Sequence, residues 1–127
     1  MNAAIVLALA IHGSDFEAAA TAGEGAVVSA RFDNSDSGVS QLTKWIGRLA
    51  DSSELPVIQS CVAVLRWAPK ASYSSPAMKF ARDGAANTLI WNPRQIEALF
   101  PMPSGAASIA EGMLAECAKE HARAVKP

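Results

Sequence analysis

Ala3-Ala4-Ile5-Val6-Leu7-Ala8-Leu9-Ala10-Ile11 is an unbroken run of nine apolar residues near the start of the chain. It is apolar at odd and even positions alike, as a strand covered on both faces must be. The run is far too short to cross a bilayer. No Lys or Arg precedes it and no clear small-x-small site follows, so it does not read as a secretory leader. A buried central strand is the reading, and the rest of the chain must then supply the cover for its two faces.

Working outward, residues 14–20 follow a His12-Gly13 step and read as a second strand, and residues 26–32, after Gly23-Glu24-Gly25, as a third. Short glycine-containing links between consecutive strands predict an antiparallel meander. The period then changes: Val39, Leu42, Trp45, Ile46 and Leu49 recur at three- and four-residue spacing, which lines one face of a helix. Ser37 is its expected N-cap and Asp51-Ser52-Ser53 its stop. Residues 56–60 form a fourth strand reached by a helical crossover, hence parallel to the first. Between Val62 and Arg82, Pro69 and Pro76 interrupt any long helix, leaving residues 76–83 as its surest part and the serines of 72–75 as a turn. Residues 88–91 are a fifth strand, and Pro93 opens a helix through Leu99. Residues 108–125 are a long amphipathic helix with Ile109, Met113, Leu114 and Cys117 facing inward.

Three meandering strands followed by alternating helices and strands predict a mixed five-stranded α/β sheet flanked by helices, an order typical of the ribonuclease H-like fold. The 127 residues, half of them hydrophobic, suit a single domain spanning 1–127, with 101–107 as a linker before the last helix. Eleven basic against twelve acidic residues leave a net charge of −1, so no global positive field recruits nucleic acid, and any such contact must be local. Two cysteines are too few for a disulfide framework and suit a cytoplasmic protein, although one bridge is possible.

Several short segments resemble one family. Arg31-Phe32-Asp33-Asn34 with Gly38, Leu42 and Trp45 is similar to the Phe-x-Asn, Gly, Leu, Trp pattern of the DEDD transposases of bacterial insertion sequences, the group that includes the Piv invertases. Asn92-Pro93-Arg94-Gln95-Ile96 with Ala98-Leu99-Phe100 resembles that family's Val-Asn-Pro-Arg-Gln segment, and Leu114-Ala115-Glu116 with Ala118 the end of its catalytic helix. The likeness covers nearly the whole chain. The likeness does not extend to the family's serine-bearing C-terminal domain, which these 127 residues do not match.

The resemblance implies a metal-dependent site of four carboxylates, and this chain has none of them. Ala10 stands at the family's first Asp, Gln59 at its Glu, and Ala107 and Ala110 at its two final Asp positions. Two divalent ions about 4 Å apart must hold the attacking and leaving oxygens of a phosphodiester, and hard cations need anionic oxygen ligands to offset dehydration. Alanine supplies no oxygen and a Gln amide one neutral oxygen, so the chain is expected not to be an enzyme of that class. Asp15, Glu17 and Glu111 are near enough in sequence to suggest a relocated acidic site. Strand alternation would place the first two in solvent, and Glu111 points about 100° from Ala110.

Other chemistry is thinly marked. Cys117 and His121 have the i, i+4 spacing of a zinc chelate, and His12 and Cys61, each two residues past a lost carboxylate position, are expected to emerge at the same end of adjacent parallel strands. Cys117 stands seven residues, about 10 Å, along the helix from Ala110, so the two pairs are not expected to meet, and no metal is expected. No phosphate-cradling loop, dinucleotide fingerprint or nucleophile elbow appears, so no cofactor is expected either. For DNA or RNA, Arg66, Lys70, Lys79, Arg82 and Arg94 can contact phosphates while Trp67, Tyr73 and Trp91 stack on bases, unless Trp91 is core. The expected function is an inactive, transposase-derived domain that binds nucleic acid or regulates a mobile element. The alternative is a protein-interaction module that inhibits another element's DNA-processing or conjugative-transfer machinery, with Trp67, Tyr73 and Met102 as contacts. No membrane association is expected.

Overall fold

The computed structural model describes residues 5–22, 26–50, 58–84, 87–99 and 108–125. Strands β1 (Ile5–Ile11), β2 (Asp15–Ala22) and β3 (Ala26–Asp33) form the expected meander. Helix α1 (Asp36–Ala50) crosses to β4 (Ile58–Val64), which lies parallel to β1. A 3₁₀ turn (Lys70–Ser74), the short α2 (Pro76–Lys79) and a wide π turn (Phe80–Gly84) lead to β5 (Asn87–Trp91), parallel to β4. Helices α3 (Pro93–Leu99) and α4 (Ile109–Val125) follow. The sheet order is β3-β2-β1-β4-β5, a mixed five-stranded sheet flanked by helices. Ala3, Ala4, Pro56, Val57, Ala107 and the 101–107 linker lie outside the described residues. No described helix is long and apolar enough to cross a membrane.

The two faces of β1 meet different partners. Leu7, Leu9 and Ile11 enter one core with Phe16, Leu42, Val62 and Met78, on the α1 and α2 side. Ala8 and Ala10 enter the other with Ala19, Ala63, Trp91, Met113 and Cys117, on the α4 side. The small side chains on that second face let α4 lie close to the strands. Trp91 is buried there, so it is core and offers no base-stacking surface.

Two local expectations change. The fourth strand extends to Val64, beyond the expected end at Ser60, because Cys61-Val62-Ala63-Val64 is covered on both faces and pairs with β1 as far as Ile11. Ser35, not Ser37, caps α1: its Oγ accepts the Gly38 N–H (3.1 Å) and its carbonyl the Val39 N–H (2.9 Å). Gly38 is required by close approach, since a Cβ there would fall 1.8 Å from the Asp33 carbonyl oxygen. Gly13 has φ +132°, a conformation that L side chains rarely adopt, and it turns the chain from β1 into β2.

The segments that carry the family resemblance do structural work here. Phe32 stacks on Phe16 at 5.6 Å between centroids and meets Trp45 edge-on at 5.8 Å. The Asn34 amide donates to the Gly13 carbonyl (2.9 Å) and its oxygen accepts the Ala77 N–H (3.0 Å), tying the first hairpin to the start of α2. Asn92 and Gln95 cap α3 reciprocally: the Gln95 N–H donates to Asn92 Oδ1 (2.8 Å) and the Asn92 N–H to Gln95 Oε1 (3.0 Å), with Pro93 in the first helical position. Ser108 caps α4 through the Glu111 N–H (3.1 Å).

Candidate binding site at the carboxyl ends of β1 and β4

Parallel strands β1 and β4 end together: Ile11 pairs with Val64, and the Leu65 N–H donates to the Ile11 carbonyl (2.9 Å). From β1 the chain turns back into β2 on one side, while β4 on the other side is reached through α1. Open α/β sheets hold ligands at such a reversal, outside the carboxyl ends of the strands. His12 is the first residue beyond β1 and Trp67 the third beyond β4, and their rings meet at 5.7 Å with a 46° tilt. Trp67 remains 58% exposed.

Beneath this pair lies a carboxylate. Glu17 on β2 stands opposite Ala10 of β1 and opposite Arg31 of β3, so all three share the face that α4 covers. Glu17 Oε2 contacts His12 Nε2 and accepts a hydrogen bond from Arg31 Nη2 (3.0 Å), while Oε1 accepts the Ala110 N–H (3.3 Å) in the first turn of α4. Arg31 also reaches Asp15, Nε to Oδ2 at 3.3 Å. Burial pushes the Glu17 carboxyl up, but the Ala110 N–H, the hydrogen bond and charge of His12, and Arg31 together hold it below the ordinary glutamate value. A helix N-terminus favours the same anionic form.

This overturns the expectation that Glu17 faces solvent. Glu17 is 7% exposed because Ala19, two residues on and on the same face, is already packed under α4. The signal was present in β2 itself, where Phe16, Ala18, Ala19 and Ala20 are apolar on both faces. Asp15 is half-buried, and Glu111 belongs to the capped first turn of α4. Among the described residues, Asp15, Glu17 and Glu111 are not drawn into a group with mutually close ligand atoms.

Of the four positions that the resemblance aligns with carboxylates, Ala10 and Ala110 converge, both fully buried and both next to Glu17. Gln59 does not join them. It pairs with Val6, four residues or about 13 Å down the strand from the level of Ala10, which pairs with Ala63. The parallel register, set by the apolar residues of β4, therefore places Gln59 near the opposite end of the sheet.

The five basic candidates are all exposed. Arg66 and Lys70 follow the end of β4, and Arg94 follows the end of parallel β5, so these three emerge at the same end as His12 and Trp67. Tyr73 is 38% exposed on the 3₁₀ turn that Lys70 begins. Lys79 closes α2. Arg82 lies where the chain descends to the start of β5, next to an Ala81 carbonyl that accepts the Thr88 hydroxyl (2.5 Å), and so belongs to the other end of the sheet.

Cysteine pairing departs furthest from expectation. Cys61 does not emerge beside His12; it lies opposite Ala8 in the interior of β4. Helix α4 runs back along β1 from Ala110, near Glu17, to Cys117, near the Leu7 carbonyl, and its rise brings Cys117 onto Cys61. The two form a disulfide with 5.7 Å between Cα atoms. His121, one turn further along, has a ring nitrogen within 4.8 Å of both sulfurs. The pairs Cys61 with His12 and Cys117 with His121 are thus replaced by one group of three.

The sequence matches no protein-family model and no curated protein.

Proposed function

We propose that the protein is a ribonuclease H-like, transposase-derived domain that binds single-stranded nucleic acid at the carboxyl ends of β1 and β4 without cutting it, as a regulator of a mobile element. The observation that carries this reading is Trp67, largely exposed and tilted against His12 where the two strands end. An exposed indole is a stacking platform for an unpaired base. Arg66 and Lys70 flank it in the chain and Arg94 emerges at the same end, which supplies cations for the adjoining phosphates. The strand order, a meander followed by a helical crossover, supports the ribonuclease H-like assignment.

The surroundings of Glu17 argue for binding over cleavage. Its carboxylate is already engaged by His12, Arg31 and the Ala110 N–H, and Ala10 and Ala110 beside it bring no further oxygen ligands. A pair of hard cations needs several free carboxylate oxygens at one place.

Fluorescence anisotropy with labelled single-stranded DNA and RNA tests the reading. Trp67→Ala should weaken binding about 5- to 150-fold, the equivalent of one base stack of roughly 1–3 kcal/mol. Three phosphate contacts predict a slope of log K against log salt near −2, about −0.7 per contact. No binding at low salt, or an unchanged affinity in Trp67→Ala, rejects it.

One observation favours the protein-interaction alternative. The two outer strands each expose a large apolar side chain, Val27 on β3 at 49% and Ile90 on β5 at 47%. An inhibitor of DNA-processing or transfer machinery would use such an edge, and its partner would survive nuclease treatment and be lost in Ile90→Glu or Val27→Glu.

A further inference from the structure

We propose that Cys61, Cys117 and His121 form a buried, three-coordinate site for a thiophilic monovalent ion, Cu(I), which is open when the two cysteines are reduced and closed when they are joined. The three side chains are buried in the α4-side core, the cysteines completely and His121 to 1% exposure. Their ligand atoms all lie within 4.8 Å of one another, and no other described group of His, Cys, Asp or Glu does this.

His121 is the independent sign of a ligand. Its Nε2 lies 2.7 Å from the Ser60 carbonyl oxygen. A carbonyl can only accept, so Nε2 carries the proton and donates it. Nδ1 of the neutral ring then holds a lone pair, and it is buried with no hydrogen-bond partner. A buried acceptor left unpaired costs about 1–3 kcal/mol and calls for an explanation. Metal-bound imidazoles commonly have one nitrogen fixed by a backbone carbonyl and leave the other lone pair for the ion.

The donor set selects the ion. Two thiolates and one imidazole are soft or borderline ligands, suited to Cu(I) or Zn(II) and unsuited to Mg²⁺ or Ca²⁺. Structural Zn(II) requires four ligands, and the described residues bring three His, Cys, Asp or Glu groups together here. Cu(I), a closed-shell ion, is satisfied by three.

The chemistry balances in two steps. A dithiol reductant transfers two electrons and two protons to the Cys61–Cys117 bond, giving two thiols and the reductant's own disulfide. Cu(I) then binds both sulfurs with release of the two thiol protons to solvent, and Nδ1 of His121 contributes its lone pair without proton loss. The disulfide and the ion compete for the same two sulfurs.

The full chain is reduced with dithiothreitol, freed of reductant under anaerobic conditions, and titrated with Cu(I) held by bathocuproine disulfonate as a coloured competitor. Reduced wild type should withdraw one equivalent, and oxidised wild type none. His121→Leu should bind at least tenfold more weakly while keeping its helical circular dichroism. X-ray absorption of the loaded wild type should show two sulfur and one nitrogen neighbours, a readout that does not depend on any variant folding. Equal binding by the oxidised protein, unchanged affinity in His121→Leu, or a copper shell without nitrogen overturns the proposal. Stoichiometric zinc that survives chelator dialysis of the reduced protein overturns the choice of a three-coordinate ion.

Discussion

At Glu17 one buried carboxylate meets an imidazole, a guanidinium and a helix N-terminus. Its folded-state pKa lies below the ordinary value, so folding favours the charged form. That contribution is complete above the unfolded pKa, near 4.3, and is lost as pH falls through the lower folded value. Glu17→Gln cannot titrate, so it should flatten the acid limb of stability against pH. At neutral pH it should cost about 1.5–3 kcal/mol, the range for hydrogen bonds to a charged group, with little of that from the half-exposed Arg31. Urea unfolding of both proteins across the acid range reads both effects, and parallel curves would reject the assignment. The apolar run of β2 marks both faces of the strand as covered, but not what covers them. Alternation says which side chains share a face of a strand, but not which face a distant helix will cover.

At the scale of elements, the family-like segments of the sequence turn out to be caps and clamps. The reciprocal cap of Asn92 and Gln95 explains the Asn-Pro-Arg-Gln order through local geometry: proline fixes the first helical turn and the flanking side chains satisfy two orphan N–H groups. Asn92→Ala should therefore cost about 1 kcal/mol of stability and leave oligonucleotide affinity unchanged. Denaturation and anisotropy on the same variant separate the two roles, and a loss of affinity without a loss of stability would move Asn92 into the binding surface. The elements themselves were legible because their periods are local. Their ends were less so: the cap expected at Ser37 falls two residues earlier, at Ser35, whose Oγ accepts the Gly38 N–H. β4 outran its expected length, since a run apolar on both sides carries no mark of where its pairing stops.

At the scale of the whole molecule, the disulfide joins the centre of the sheet to the last helix across 56 residues of sequence. Closing a loop of that length in the unfolded chain predicts a stabilisation of about 4 kcal/mol in the chain-entropy account. Equilibrium unfolding with and without reductant should show a midpoint shift of that size, and the difference should disappear in a Cys61→Ser, Cys117→Ser double variant. His121 lies beside the same two sulfurs, so stability and the proposed ion binding both depend on the redox state of one pair.

The sequence already specifies the central strand, the meander, the crossover and the amphipathic last helix, because each is written in the spacing of neighbouring residues. It also determined that Ala10 and Ala110 bring no carboxylate to the place where they meet. Packing across the sheet is what sets Gln59 about 13 Å from that place, buries Glu17 there, and brings Cys61, Cys117 and His121 together. Those outcomes depend on the register between β1 and β4 and on the path of α4 across them. Both are set by packing between residues far apart in the chain, which no local period records.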